Sequence, residues 1–161
     1  LADSLTLSDH LSKSCIRIGL AASDREELLA MLARSAQSEG LVADHRIFLE
    51  NLKRREAEMS TGVGRGLAVP HAEVAGADDT FVIGATLMQA VDYKSLDHVP
   101  VDVVFLIGGK PGAVGLHLQL LARIARLARQ PEFLEKLKEQ DTSQGFLEVI
   151  EEAEELLYSN D

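Results

Sequence analysis

Five histidines, a run of glycines and a pair of arginines are the residues of this 161-residue chain that could do chemistry. His71 stands apart by its surroundings. It follows Ser60-Thr61-Gly62-Val63-Gly64-Arg65-Gly66, then the apolar Leu67-Ala68-Val69 and Pro70. The proline fixes the backbone just before it, which leaves the imidazole little freedom at a strand end. A neutral imidazole is a nucleophile. On spacing alone, a Gly-rich loop beside a histidine is equally a plain turn. His117 falls in the first turn of a predicted helix, and its spacing to Leu121, Ile124 and Ala128 points it toward the sheet. A helix N-terminus carries partial positive charge and free N–H groups, which favours an anion nearby. A satisfied core histidine fits that spacing just as well.

Arg54 and Arg55 close a helix just ahead of the glycines. Residues 53–66 hold four basic and two acidic side chains, a local excess of +2 in a chain of net charge -10. Arginine at a helix C-terminus is favoured electrostatically in any case, yet its planar fork is also the side chain best shaped to grip a phosphate. The other histidines carry less. His10, His45 and His98 sit among charged or polar residues, and none has a metal-ligand neighbour at the spacing zinc sites use. No metal or cofactor is expected. The glycines do not form a P-loop, since Leu67 follows Gly66, nor a dinucleotide fingerprint, and there is no nucleophile elbow.

The elements that must position these residues follow from composition and periodicity. Hydrophobic residues make up 46% and charged ones 26%, enough for one globular core, while 4% aromatics and no Trp leave that core to Leu, Val, Ile and Ala. The 26 acids against 16 Lys and Arg argue against a nucleic-acid partner, which needs a basic face. Cys15 has no partner for a disulfide, no apolar run is long enough to cross a bilayer, and Leu1 to Leu11 lacks the pattern of a signal peptide. A chain starting at Leu rather than Met suggests a trimmed start. Cytoplasmic, with no membrane insertion, is the expectation.

Ser23 to Glu26 has capping-box spacing, opening a helix whose Leu28, Leu29, Leu32 and Ala36 run inward until Gly40. A second helix is predicted over Asp44 to Glu56, with Ile47, Phe48, Leu52 and Ala57 inside and Glu50 paired with Arg54 outside. The Gly-rich loop and a short strand then end at Pro70, where regular pairing is expected to stop. Thr80 to Met88 and Val101 to Ile107 read as strands covered on both faces, joined by a turn or hairpin segment, with a loop over Gly108 to Gly112. Val114 to Arg129 is a helix with Leu118, Leu121, Ala125 and Ala128 inward and Arg123, Arg126 and Arg129 solvated. Pro131 opens a short helix ending near Gln140, and the last helix runs from Ser143 to Tyr158. The seven acids of residues 141–161 read as a solvated face. The fold class is α/β, a single domain over residues 5–158.

Arg55-Glu56, followed by Ser60-Thr61-Gly62-Val63-Gly64-Arg65-Gly66-Leu67-Ala68-Val69-Pro70-His71, resembles the signature of type-2 phosphotransferase-system IIA domains, the fructose, mannitol and nitrogen-regulatory group. Pro111 through His117-Leu118 and Leu121 is similar to that family's second motif, and Val101 to Leu106 to the strand before it. Arg65 stands where the family often has Asn, and Glu73 where some branches carry a base.

The resemblance implies a mixed β-sheet sandwiched between α-helices. It implies that His71 is phosphorylated by the phosphohistidine of an HPr-type carrier, that His117 bonds the phosphoryl group and helps set the tautomer of His71, and that Arg55 neutralises its charge. Onward transfer would go to a cysteine on the IIB domain of a sugar permease. The alternative is a nitrogen-regulatory protein, phosphorylated at the same His71 and acting through contacts with regulatory targets.

Overall fold

The computed structural model describes residues 5–159. The first residues of the N-terminal stretch, and Asp161 of the acidic run, lie outside the described residues. Within them the chain forms β1 (Ile16–Leu20), α1 (Arg25–Ser38), α2 (His45–Glu58), β2 (Gly62–Gly64), β3 (Leu67–Ala68), β4 (His71–Glu73), β5 (Phe81–Val91), β6 (Val101–Gly109), α3 (Val114–Ala128), α4 (Phe133–Lys138) and α5 (Ser143–Ser159). The six strands make one mixed sheet in the order β1-β5-β6-β3-β2, and β4 extends the pairing along β6. β5 and β6 run antiparallel through its centre, whereas β1, β3 and β4 each join a parallel neighbour.

Side chains alternate across a strand, so the two helical layers can be read from the central pair. On β5, Phe81 meets Phe48 of α2 edge-on, while a Cβ at Gly84 would strike Phe146 of α5. On β6, Phe105 packs on Phe146, while Gly108 abuts Phe48. α2 therefore covers one face and α5 the other, and the sheet is sandwiched between helices as the sequence predicts.

Several local expectations shift. Asp24, not Ser23, caps α1. Its backbone is extended and its carboxylate accepts from the Glu27 N–H at 2.8 Å, while Glu27 reaches back to the Ser23 N–H at 2.7 Å. On α2, Ile47 and Ala57 face out, and the charged Glu56 is buried in their stead. Pro70 interrupts the edge without ending it. Its missing N–H removes one bond, but its carbonyl accepts from Ile107 N–H at 2.9 Å and pairing resumes at once in β4. Gly108 and Gly109 belong to β6 rather than to the following loop. They are glycines because a Cβ at Gly108 would strike Phe81 and come within 2.9 Å of the Phe48 ring, and one at Gly109 would lie 2.8 Å from Nε2 of His117.

α3 is turned relative to its predicted face. Leu118 and Ala125 are exposed, while Leu120, Arg123, Ile124 and Leu127 are buried. Arg123 goes inside because Nη2 donates to the Leu5 carbonyl at 2.8 Å and its guanidinium lies over the Tyr158 ring. The acidic face of α5 has one exception to its solvation. Glu154 is buried and accepts from the backbone N–H groups of Leu7 and Ser8 and from the Ser8 hydroxyl, fastening the N-terminal segment. Among the described residues, no helix is long and apolar enough to cross a membrane.

Candidate functional site

His71 begins β4 and so lies at the end of the parallel pairing with β6, opposite Ile107. Both of its ring nitrogens are engaged. Nδ1 lies 2.9 Å from the carbonyl oxygen of Val69, and Nε2 lies 3.2 Å from Nε of Arg55. A carbonyl can only accept, and a guanidinium N–H can only donate. The proton therefore sits on Nδ1, and the lone pair on Nε2 points toward Arg55. Arg55 is itself held at the end of α2, where Nη1 donates to the Met59 carbonyl at 2.8 Å. This satisfies one of the carbonyls a helix C-terminus leaves open.

His117 comes from the opposite side, on the first turns of α3, and is buried as its spacing to Ile124 and Ala128 suggests. Its backbone N–H is taken by the Ala113 carbonyl at 3.1 Å. Its Nε2 is buried and meets no hydrogen-bond partner among the described residues. Burial holds its imidazolium below the usual range. Glu73 pulls the other way, and His71 adds to the effect of burial.

The three predicted residues thus converge on one cleft of 510 Å³. Arg54, Arg55, His71, Glu73, Pro111 and His117 are among its walls, with Val114 and Leu118 exposed at its rim. Arg54 contributes less directly, because it pairs along its own helix with Glu50 at 3.9 Å and with Asn51 at 3.2 Å. His10, His45 and His98 lie elsewhere and line no part of this cleft.

Two residues at the site escape a reading of spacing alone. Asn51 sits one turn before Arg55 and donates to the Glu73 carbonyl at 2.9 Å, tying α2 to β4. Its i,i+4 relation to Arg55 was the available signal. Glu73, two residues after His71 on the same strand face, turns into the cleft and accepts from the Gly112 N–H at 3.4 Å. That bond ties β4 to the loop that opens α3.

A ring nitrogen facing a guanidinium and a second buried imidazole with no partner on its Nε2 among the described residues thus meet in one cleft at the end of a mixed sheet, an arrangement of donors suited to an anion. The chain belongs to the type-2 EIIA family of the phosphoenolpyruvate-dependent sugar phosphotransferase system, whose model matches residues 9–153. It is 33% identical to a nitrogen regulatory protein of Bradyrhizobium diazoefficiens, over 91% of this chain and 95% of the relative. It is 31% identical to a fructose-like EIIA component of Escherichia coli, over 83% of this chain and 90% of the relative. A fructose-specific EIIABC component of Bacillus subtilis is 27% identical over 91% of this chain, which spans only 23% of that longer protein. In fold it is similar to nitrogen regulatory protein IIA-Ntr of Neisseria meningitidis, with a TM-score of 0.83 at 24% identity, 89% of this chain and 98% of that one. It is also similar to enzyme IIA-mannitol of E. coli, solved in complex with phosphorylated enzyme IIB-mannitol, with a TM-score of 0.74 at 19% identity, 88% of this chain and 96% of that one.

Proposed function

We propose that the chain is a phosphoryl carrier that accepts phosphate on Nε2 of His71 from an HPr-type phosphohistidine and passes it to a cysteine of a IIB domain. The observation that carries this reading is the pair of bonds on His71, from Nδ1 to the Val69 carbonyl and from Arg55 to Nε2. The first fixes the tautomer that leaves Nε2 nucleophilic. The second places a fixed positive charge where phosphoryl oxygens arrive.

In the transfer, Nε2 forms a bond to phosphorus as the nitrogen–phosphorus bond of the donor breaks. The donor ring, protonated on its other nitrogen, leaves as neutral imidazole. His71 keeps its Nδ1 proton against Val69, so the phosphorylated ring is cationic next to a dianionic phosphoryl group. Arg55 turns its N–H from Nε2 to a phosphoryl oxygen, and His117 Nε2 gains a partner there. Little covalent chemistry is asked of the protein, and positioning and charge neutralisation do the rest.

The complex of the mannitol relative with its phosphorylated IIB enzyme supports a IIB domain as the next acceptor. A second reading has its own observation. The nitrogen regulatory relative matches over nearly its whole length at 33% identity, which supports a protein phosphorylated at the same His71 and acting through regulatory contacts. In either reading, residues 5–158 form one cytoplasmic domain, which limited proteolysis should leave intact.

The test is incubation with phosphorylated HPr or its nitrogen-branch paralogue, followed by intact-mass measurement. Gain of one acid-labile phosphoryl group, absent in His71→Ala, is the expected result. A wild-type chain left unmodified by every carrier contradicts the proposal.

A further inference from the structure

The residue next to Arg55 is a charged side chain that the chemistry above does not use. Glu56 is buried, an arrangement that costs free energy unless its lone pairs are answered. Here they are answered from several directions. Oε2 accepts the Thr61 backbone N–H at 2.7 Å, Oε1 accepts the Thr61 hydroxyl and the Tyr93 hydroxyl, and Arg25 Nη1 lies 3.7 Å away. Burial, and after it the Glu56 carboxylate, pushes the Tyr93 phenol far above its usual range, which keeps that hydroxyl a donor.

Thr61 carries the connection onward. Its carbonyl accepts the Val69 N–H at 2.9 Å, the Val69 carbonyl accepts the His71 Nδ1–H at 2.9 Å, and His71 Nε2 accepts from Arg55 at 3.2 Å. Arg55 is covalently joined to Glu56, so the hydrogen bonds close into a ring that runs from Glu56 through Thr61, Val69, His71 and Arg55 back to Glu56.

We propose that Glu56 is a positioning residue for His71, closing a ring of hydrogen bonds that fixes the tautomer of its imidazole and the aim of Arg55. The inference rests on the reading of His71 as the phosphate acceptor. Thr61 is the hinge by which the Glu56 carboxylate sets the Val69 carbonyl, and that carbonyl, with the Arg55 N–H on the other nitrogen, decides which ring nitrogen of His71 bears the proton. The same clamp fixes the chain just after Met59, whose carbonyl holds Arg55. Were Glu56 only a core ion, its other partner, Tyr93, would matter to the site as much as Thr61 does, although it lies outside the ring.

The experiment measures the ring nitrogens of His71 by 15N NMR on the full chain, alongside phosphoryl transfer from phosphorylated HPr. The wild type shows a protonated Nδ1 and a bare Nε2. Glu56→Leu is expected to give a mixture of tautomers and to slow transfer about tenfold or more. Glu56→Gln keeps both properties, since its amide oxygen can still accept the Thr61 N–H while its NH2 donates to the two hydroxyls. Tyr93→Phe loses stability but keeps the tautomer. If Glu56→Leu does not fold, Glu56→Asp decides, because a side chain one methylene shorter keeps the charge and withdraws it from Thr61. A wild-type tautomer in the Leu and Asp variants, or an equal disturbance by Tyr93→Phe, overturns the proposal. The tautomer is read without phosphate, so a failure of the carrier reading shows separately, as absent transfer in the wild type.

Discussion

His71 and His117 face the same cleft from two walls, and the protein treats them in opposite ways. His71 is half-buried with both nitrogens bonded, one to a backbone carbonyl and one to a guanidinium. His117 is buried more deeply, its imidazolium disfavoured, and its Nε2 bonded to nothing among the described residues. A buried polar group without a partner costs about 1–3 kcal/mol, which an incoming oxygen recovers. The contrast separates two tasks. The first ring is held in one tautomer, and the second keeps a nitrogen without a partner among the described residues, which in the proposed function a phosphoryl oxygen answers.

Breaking the first arrangement should have the larger effect. Arg55→Ala removes the charge beside Nε2, and single-turnover transfer to His71 is expected to fall by about 10³-fold with little change in unfolding midpoint. Equal rates for variant and wild type would detach Arg55 from the chemistry. His117→Ala should slow transfer by about 10²-fold while phosphorylation still goes to completion. Complete loss with folding intact would contradict the assisting role given to His117.

A subtler probe displaces His117 without removing it. Gly109→Ala places a methyl group 2.8 Å from its Nε2, and transfer should slow by about tenfold. A rate unchanged in that variant would show that the exact seat of His117 is unimportant. The smallest effect is on pH dependence. His117 in the folded chain has a lowered pKa, so below about 6.5 the unfolded chain takes up a proton that the folded chain refuses. Stability therefore declines as pH falls through that range. Denaturant titrations at about pH 7.5 and pH 5.5 should show a shallower decline in His117→Phe than in the wild type.

The two histidines also mark what could be read in the sequence. His71, Arg55 and His117 stand in recognisable motifs, and the strands β5 and β6 announce themselves as long β-branched runs. What failed depended on partners far away along the chain. α3 is apolar on more than one side, so its periodicity fits two faces. The choice is made by the Leu5 carbonyl and Tyr158, which draw Arg123 inward and leave Leu118 exposed. The burial of Glu56 likewise rests on Tyr93, which lies 37 residues along the chain and donates to its carboxylate. The glycines of β6 suggested a loop, and only the rings of Phe48 and Phe81 and the seat of His117 explain why a strand should lack side chains there.

The central claim is that Nε2 of His71 is the atom that carries phosphate, and NMR of the 15N-labelled, phosphorylated chain tests it most directly. Coupling of phosphorus to Nε2 of His71, with Nδ1 still protonated against Val69, is the predicted result. Phosphate on Nδ1 of His71, or on any other residue, would contradict it.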